Sequence, residues 1–166
     1  MAVVVVLAHT NDNVSRTILQ CIHELERKSA IKLSLSKMVF LAELNTVEQL
    51  MSILSRSETE IKILKQTEED SLIERHVIII SKRTNDKLVY AKSYIFPENL
   101  PPGIVEKIKR KDQGIGNIIA SSELETFRRL LKIGYEPKTR AVFRIYEILC
   151  KKKVAMEIKE TFMLKK

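Results

Sequence analysis

A chain of 166 residues suits one domain with a real core and is short for two. Hydrophobic residues at 45% and charged residues at 30% place it among ordinary soluble globular proteins, and four glycines with four prolines leave room for few long loops. The formal charge of +8 suits an anionic partner, nucleic acid or metabolite, without choosing between them. Cys21 and Cys150 are too few for a disulfide framework and have no metal-like spacing, so a reducing, cytosolic setting is expected.

The apolar run Ala2–Ala8 is too short to span a bilayer and lacks a basic leader, which predicts a buried strand or an ordered tail. From Asn11 to Ser29, Val14, Ile18, Leu19, Ile22 and Leu25 follow helical spacing, with Asp12 or Asn13 as the cap and His23 on the surface. Ser34 precedes a second helical segment through Met38, Val39, Leu41 and Ala42. Asn45-Thr46 interrupts it and caps a third through Val47, Leu50, Met51 and Leu54.

After Ser55 the period changes to two. Ile61 and Ile63 begin a strand, Glu68–Asp70 a turn, and Leu72–Ser81 is the strongest strand signal in the chain. Thr84–Lys87 supplies turn residues and Leu88–Phe96 a second strand, so the two form an antiparallel hairpin. Pro97 and Pro101-Pro102-Gly103 stop the sheet and start a helix over Ile104–Lys109, which Gly114-Ile115-Gly116 breaks. Leu124–Ile133 fits a helix or a strand, with strand favoured. Tyr135–Lys138 is a turn, Ala141–Leu149 an alternating strand, Lys151–Lys153 an exposed turn, and Val154–Leu164 the last strand. Local antiparallel pairs with segregated helices predict an α+β fold, with residues 1–166 as a single domain.

The last strand places Met156, Ile158, Glu160, Phe162 and Leu164 on one face. Glu160 is the one acid on this apolar face. It is protonated, paired with a cation, lining a polar pocket, or solvated on a frayed strand. In the hairpin, Arg75 shares a face with Val77 and Ile79, and Lys92 with Leu88, Tyr90 and Tyr94. Pairing Ser81 with Leu88 puts Arg75 and Lys92 on one face as diagonal neighbours. Two cations there need an anion: Glu160, a ligand carboxylate, or both.

Other chemistries lack their residues. There is no phosphate loop with Lys and Ser/Thr, no His/Cys/carboxylate set with metal spacing and no Gly-x-Ser-x-Gly elbow. The basic runs Lys107–Lys111 and Lys151–Lys153 have no interleaved aromatics, so nucleic acid is not expected as a partner.

Over Leu33–Leu164 the chain resembles the chorismate pyruvate-lyase family. The pieces are Leu44-Asn-Thr-Val-Glu48, Glu74-Arg-His-Val-Ile-Ile79, Tyr90-Ala-Lys-Ser-Tyr-Ile95, Gly114-Ile-Gly116, Phe127–Gly134, Phe143-Arg-Ile-Tyr146 and Glu160-Thr-Phe-Met163, in that order. The resemblance implies an antiparallel sheet with helical flaps packed on it, enclosing a ligand pocket. The implied reaction removes pyruvate from chorismate and leaves 4-hydroxybenzoate, with no metal or organic cofactor. Arg75 matches the family's ligand-binding arginine, Glu160 its acid, Val47 lies near a position that packs on the ligand ring, and Gly116 matches a flap glycine. Lys92 stands where well-known members have a second arginine, and Asn117 replaces a basic residue. Lysine cannot form arginine's bidentate fork, so Lys92 bears on substrate identity. Residues 1–30, with one helix, have no clear counterpart in the family. A second reading is a non-catalytic binder of aromatic carboxylates, since the fold resembles the effector domain of a class of transcription regulators.

Overall fold

The computed structural model describes residues 1–7 and 14–163, with side chains from residue 17 in the second span. The expected cap at Asp12 or Asn13 and the strand position Leu164 lie outside the described residues. Seven strands form one sheet: β1 (Val3–Val6), β2 (Thr59–Glu69), β3 (Leu72–Ser81), β4 (Lys87–Ile95), β5 (Phe127–Glu136), β6 (Ala141–Cys150) and β7 (Lys153–Phe162). Their order is β1-β5-β6-β7-β4-β3-β2, and every neighbouring pair is antiparallel. Two meanders, β2-β3-β4 and β5-β6-β7, are thus joined edge to edge by β4 and β7. The β5 segment is a strand, and it runs on through Tyr135 and Glu136 into a turn at Pro137–Arg140.

The helices are α1 (Val14–Ser29), α2 (Leu35–Ala42), α3 (Val47–Ser55), α4 (Pro102–Lys109) and α5 (Ile115–Ser121). The fold is α+β. Cys21, Ile22 and Leu25 of α1 are buried, at the spacing of one helical face, whereas Leu19 is half exposed. Phe40 of α2 stacks on Phe162 of β7 with ring centroids 4.8 Å apart, which ties that helix to the last strand. Burying a phenylalanine is worth roughly 1.5–3 kcal/mol. β1 pairs along β5 as the sheet's edge, with Val5 buried and Val4 and Val6 turned out, so it is an edge strand and not a buried one.

Four strands carry an unpaired extra residue. Leu64 interrupts β2 opposite the Val77–His76 step, Leu88 interrupts β4 opposite Ile79–Ile80, Leu131 interrupts β5 opposite Tyr146–Ile145, and Ala155 interrupts β7 opposite Ile148–Leu149. Each such bulge reverses the in–out alternation beyond it.

Candidate functional site

Two rows of inward side chains cross the centre of the sheet. One runs Arg75, Ser93, Ile158 and Tyr146 through β3, β4, β7 and β6. The next runs Val77, Ala91, Glu160 and Arg144 through the same strands. Ala91 and Ser93 are the smallest side chains in these rows, so the floor dips at β4. Above the dip sit the starts of α3 and α5, through Asn45–Glu48 and Gly114–Gly116. Asn117 Nδ2 donates to Glu48 Oε2 at 2.9 Å and links these two roof segments. An added Cβ on Gly114 would come within 2.3 Å of Ile61 Cδ1, so a larger residue here would have to push the tip of the Ile61 side chain on β2 aside.

The cavity, partly open to solvent, measures about 70 Å³ and is lined by Arg75, Glu160, Tyr146 and Arg128 among apolar neighbours. One water needs about 10–15 Å³ on that measure, so the space suits a small molecule and not a single trapped water.

Glu160 is 3% exposed and fully engaged. Its Oε2 accepts from Arg144 Nε at 2.7 Å, with Nη2 2.6 Å away, and its Oε1 accepts from the Tyr146 hydroxyl at 2.9 Å. Arg144 Nη1 donates to the Phe40 carbonyl at 2.7 Å, and its guanidinium lies 5.2 Å and 5.4 Å from the Phe162 and Tyr146 ring centres. Burial, and then the neighbouring Glu160 charge, push the Tyr146 hydroxyl well above its ordinary value of 10. It therefore stays a neutral donor to the carboxylate.

Arg75 is 1% exposed and has no carboxylate partner among the described residues. One Nη2 hydrogen bond goes to the Gln113 carbonyl, while Nε and Nη1 are buried with no acceptor. Burial lowers its pKa from the ordinary guanidinium value, opposed by the charge of Asp112, yet a guanidinium so placed remains a cation. A buried cation with unmet N–H groups costs several kcal/mol, a cost that an anionic ligand removes.

Of the residues singled out from sequence, Arg75, Glu160, Val47 and Gly116 line this one cavity and Lys92 does not. The expected pairing of Ser81 with Leu88 is replaced by Ile80 with Lys87, leaving Leu88 as the bulge. Leu88 and Val89 are both buried as a result, and the strand resumes with Ala91 and Ser93 inward and Lys92 outward opposite His76. There Lys92 Nζ lies 3.3 Å from Glu74, which also meets His76 Nε2 at 2.6 Å. Glu160, for its part, is met by Arg144 and not by Arg75 or Lys92.

Sequence reasoning missed Arg144, Tyr146 and Arg128. The signal for Arg144 was present as a lone cation in the alternation Val142, Arg144, Tyr146, Ile148, Cys150. Arg128 was hidden because the face of its segment depends on the bulge at Leu131. No group of three or more His, Cys, Asp or Glu among the described residues could hold a metal ion. No described helix is long and apolar enough to cross a membrane.

An antiparallel floor with a partly open pocket that holds a buried cation places the protein in the α+β class with a cavity of small-molecule size. Comparison with known proteins narrows this: residues 38–166 match the family described as chorismate pyruvate-lyase Rv2949c-like, and the chain belongs to that family. It is 22% identical over 162 residues to proteins named chorismate pyruvate-lyase from two Mycobacterium tuberculosis strains, CDC 1551 / Oshkosh and ATCC 25618 / H37Rv. The same figures hold for a Mycobacterium bovis protein of that name, and in each case 80% of this chain and 81% of the relative are covered.

Proposed function

We propose that this protein converts chorismate to 4-hydroxybenzoate and pyruvate, with Arg75 and Glu160 as the residues that hold and act on the substrate. The observation that carries this reading is Arg75, a buried guanidinium with Nε and Nη1 unmet inside the cavity that Glu160 also lines. Arg75 holds the ring carboxylate by charge-assisted hydrogen bonds from its unmet N–H groups. Val47 and Gly116 close the roof over the ring.

The bond between the ring carbon and the ether oxygen breaks, and its electron pair stays on the oxygen, which leaves with the three-carbon side chain as enolpyruvate. The ring carbon bearing the hydroxyl loses its proton, and the ring becomes aromatic. The released enolpyruvate takes a proton on its methylene carbon and becomes pyruvate. Aromatisation supplies the driving force, so the protein contributes orientation and electrostatics in a dry site. Glu160, held in one position by Arg144 and Tyr146, is the group beside the reacting C–H and hydroxyl. The reaction as written balances without a metal or organic cofactor. The free, buried Cys21 and Cys150 suit a reducing cytoplasm.

Purified protein given chorismate should form 4-hydroxybenzoate, followed by chromatography, and Arg75→Met should abolish it. No product from wild type at any enzyme concentration would sink the lyase reading. One observation favours a second reading: both oxygens of Glu160 already accept hydrogen bonds from the protein. On that reading the cavity binds an aromatic carboxylate without turnover, and 4-hydroxybenzoate raises the melting temperature while chorismate is left intact.

A further inference from the structure

Two guanidinium groups reach into the cavity from opposite sides: Arg75 on β3, and Arg128 on β5 with β6, β7 and β4 between them. Arg128 stands opposite Ile148 on the inner face, and its Nη1 donates to the Leu44 carbonyl just beyond α2. No described carboxylate pairs with it. Its Nε and Nη2 have no acceptor among the described residues, so most of its fork is unspent. It lies two residues along β5 from Leu130, the partner of Tyr146, which places it on the Arg144–Tyr146 side of Glu160. The two ends also differ in access. Arg75 is sealed at 1% exposure, while Arg128 is half-buried beside Leu44 and the exposed Asn45.

We propose that Arg128 is the second anion-binding residue of this cavity, holding the carboxylate of the departing three-carbon fragment while Arg75 holds the ring carboxylate. The inference rests on the lyase reading for the identity of the fragment, but the preference for two carboxylates over one can be measured without turnover. It assigns to Arg128 the place that alternation alone gave to Lys92. It also sets an order of release. Pyruvate leaves from the open end, where Arg128 is in contact with solvent, and the aromatic acid stays on Arg75 at the closed end. Arg128 is then a specificity residue: it distinguishes the dianionic substrate from the monoanionic product, whose affinity does not depend on it.

The test uses wild type, Arg128→Gln, Arg128→Lys and Arg75→Met with two stable ligands. One is 4-hydroxybenzoate, and the other is 4-hydroxybenzoate carrying a carboxymethoxy group at the 3-position, which mimics both carboxylates of the substrate. Wild type should bind the dicarboxylate at least ~10-fold more tightly, the size expected for one charge-assisted hydrogen-bonded contact. R128Q should lose that preference while keeping its affinity for 4-hydroxybenzoate, and R128K should fall between the two. R75M should lose both ligands. With chorismate, R128Q should lower kcat/KM by roughly 10- to 100-fold. Retained 4-hydroxybenzoate binding serves as the folding control for R128Q, and wild-type selectivity answers the question if that variant does not fold. Equal binding of the two acids by wild type would overturn the role of Arg128 while leaving the cavity's reading intact. Binding of neither would overturn the cavity's reading as well. Selective dicarboxylate binding without turnover would sink the lyase reading and uphold Arg128 as the second anion site.

Discussion

Arg144 and Glu160 face each other directly across β6 and β7, with side-chain exposures of 0% and 4%. Neither charge can be removed alone without stranding the other. Replacing Arg144 with Met leaves a buried carboxylate with only Tyr146 as donor, and breaking such a pair from one side costs about 3–5 kcal/mol. Glu160→Gln keeps an acceptor for Arg144 and should cost less, while removing product formation. The double variant Arg144→Met/Glu160→Leu should recover most of the stability lost by the first. Urea unfolding of the three variants measures this cycle, and an R144M protein within ~1 kcal/mol of wild type would show that the pair is not the anchor of the floor.

Arg75 should behave in the opposite way. Its one protein acceptor is the carbonyl of Gln113, an exposed residue whose oxygen water can serve, and its remaining donors Nε and Nη1 are unmet. Arg75→Met removes a desolvated charge and fills the space with apolar atoms. The ligand-free protein should therefore gain about 1–3 kcal/mol in urea unfolding. The same variant should show no melting-temperature shift with 4-hydroxybenzoate. A loss of stability in R75M would mean that Arg75 holds the fold together and is not reserved for a ligand. Stability set aside for binding in this way is a recurrent cost of functional sites.

Alternation gave the right face wherever a strand runs unbroken. In β7 beyond the shift at Ala155, Met156, Ile158, Glu160 and Phe162 are all buried, and in β3, Arg75 lies with Val77 and Ile79. Reading failed just past the bulges at Leu88 and Leu131, where one extra residue exchanges the two faces. Neither bulge is marked by glycine or proline; both are leucines inside apolar runs, so nothing local in composition announces them. The distant pairing of β4 with β7 was also not legible from pattern, and it is this pairing that sets Ala91 beside Glu160. Motif order supplied Val47 and Gly116, which no periodicity could have placed in the roof.

The outward position of Lys92 gives a direct check on that register. It is half-buried on the far face, near Glu74 and 4.7 Å from the Tyr94 ring centre. Its hydrogen bond with Tyr94 comes first among the causes that raise its pKa above 10.5, with Glu74 adding to it, so it is a stable outer-face cation. Lys92→Ala should change kcat/KM for chorismate by less than about 2- to 3-fold, the scale of an ordinary surface substitution. A loss comparable to that of Arg75→Met would require Lys92 to reach the cavity and would invalidate the β3–β4 register.

The turn between β6 and β7 offers a gain of stability far from the site. Cys150 pairs with Lys153, so Lys151 and Lys152 form a two-residue loop, and both have positive φ, 48° and 66°. Two successive left-handed residues make the turn that asparagine followed by glycine adopts most readily. A lysine there pays roughly 1–2 kcal/mol for its Cβ against the carbonyl, and three adjacent lysines add repulsion. Lys151→Asn with Lys152→Gly should raise stability by about 1–2 kcal/mol, or a few degrees in Tm for a chain of this length. Lys151→Ala with Lys152→Ala removes the same charges but keeps the strain, so it should recover only the smaller, salt-sensitive part. Equal gains from the two double variants would assign the whole effect to charge and none to backbone conformation.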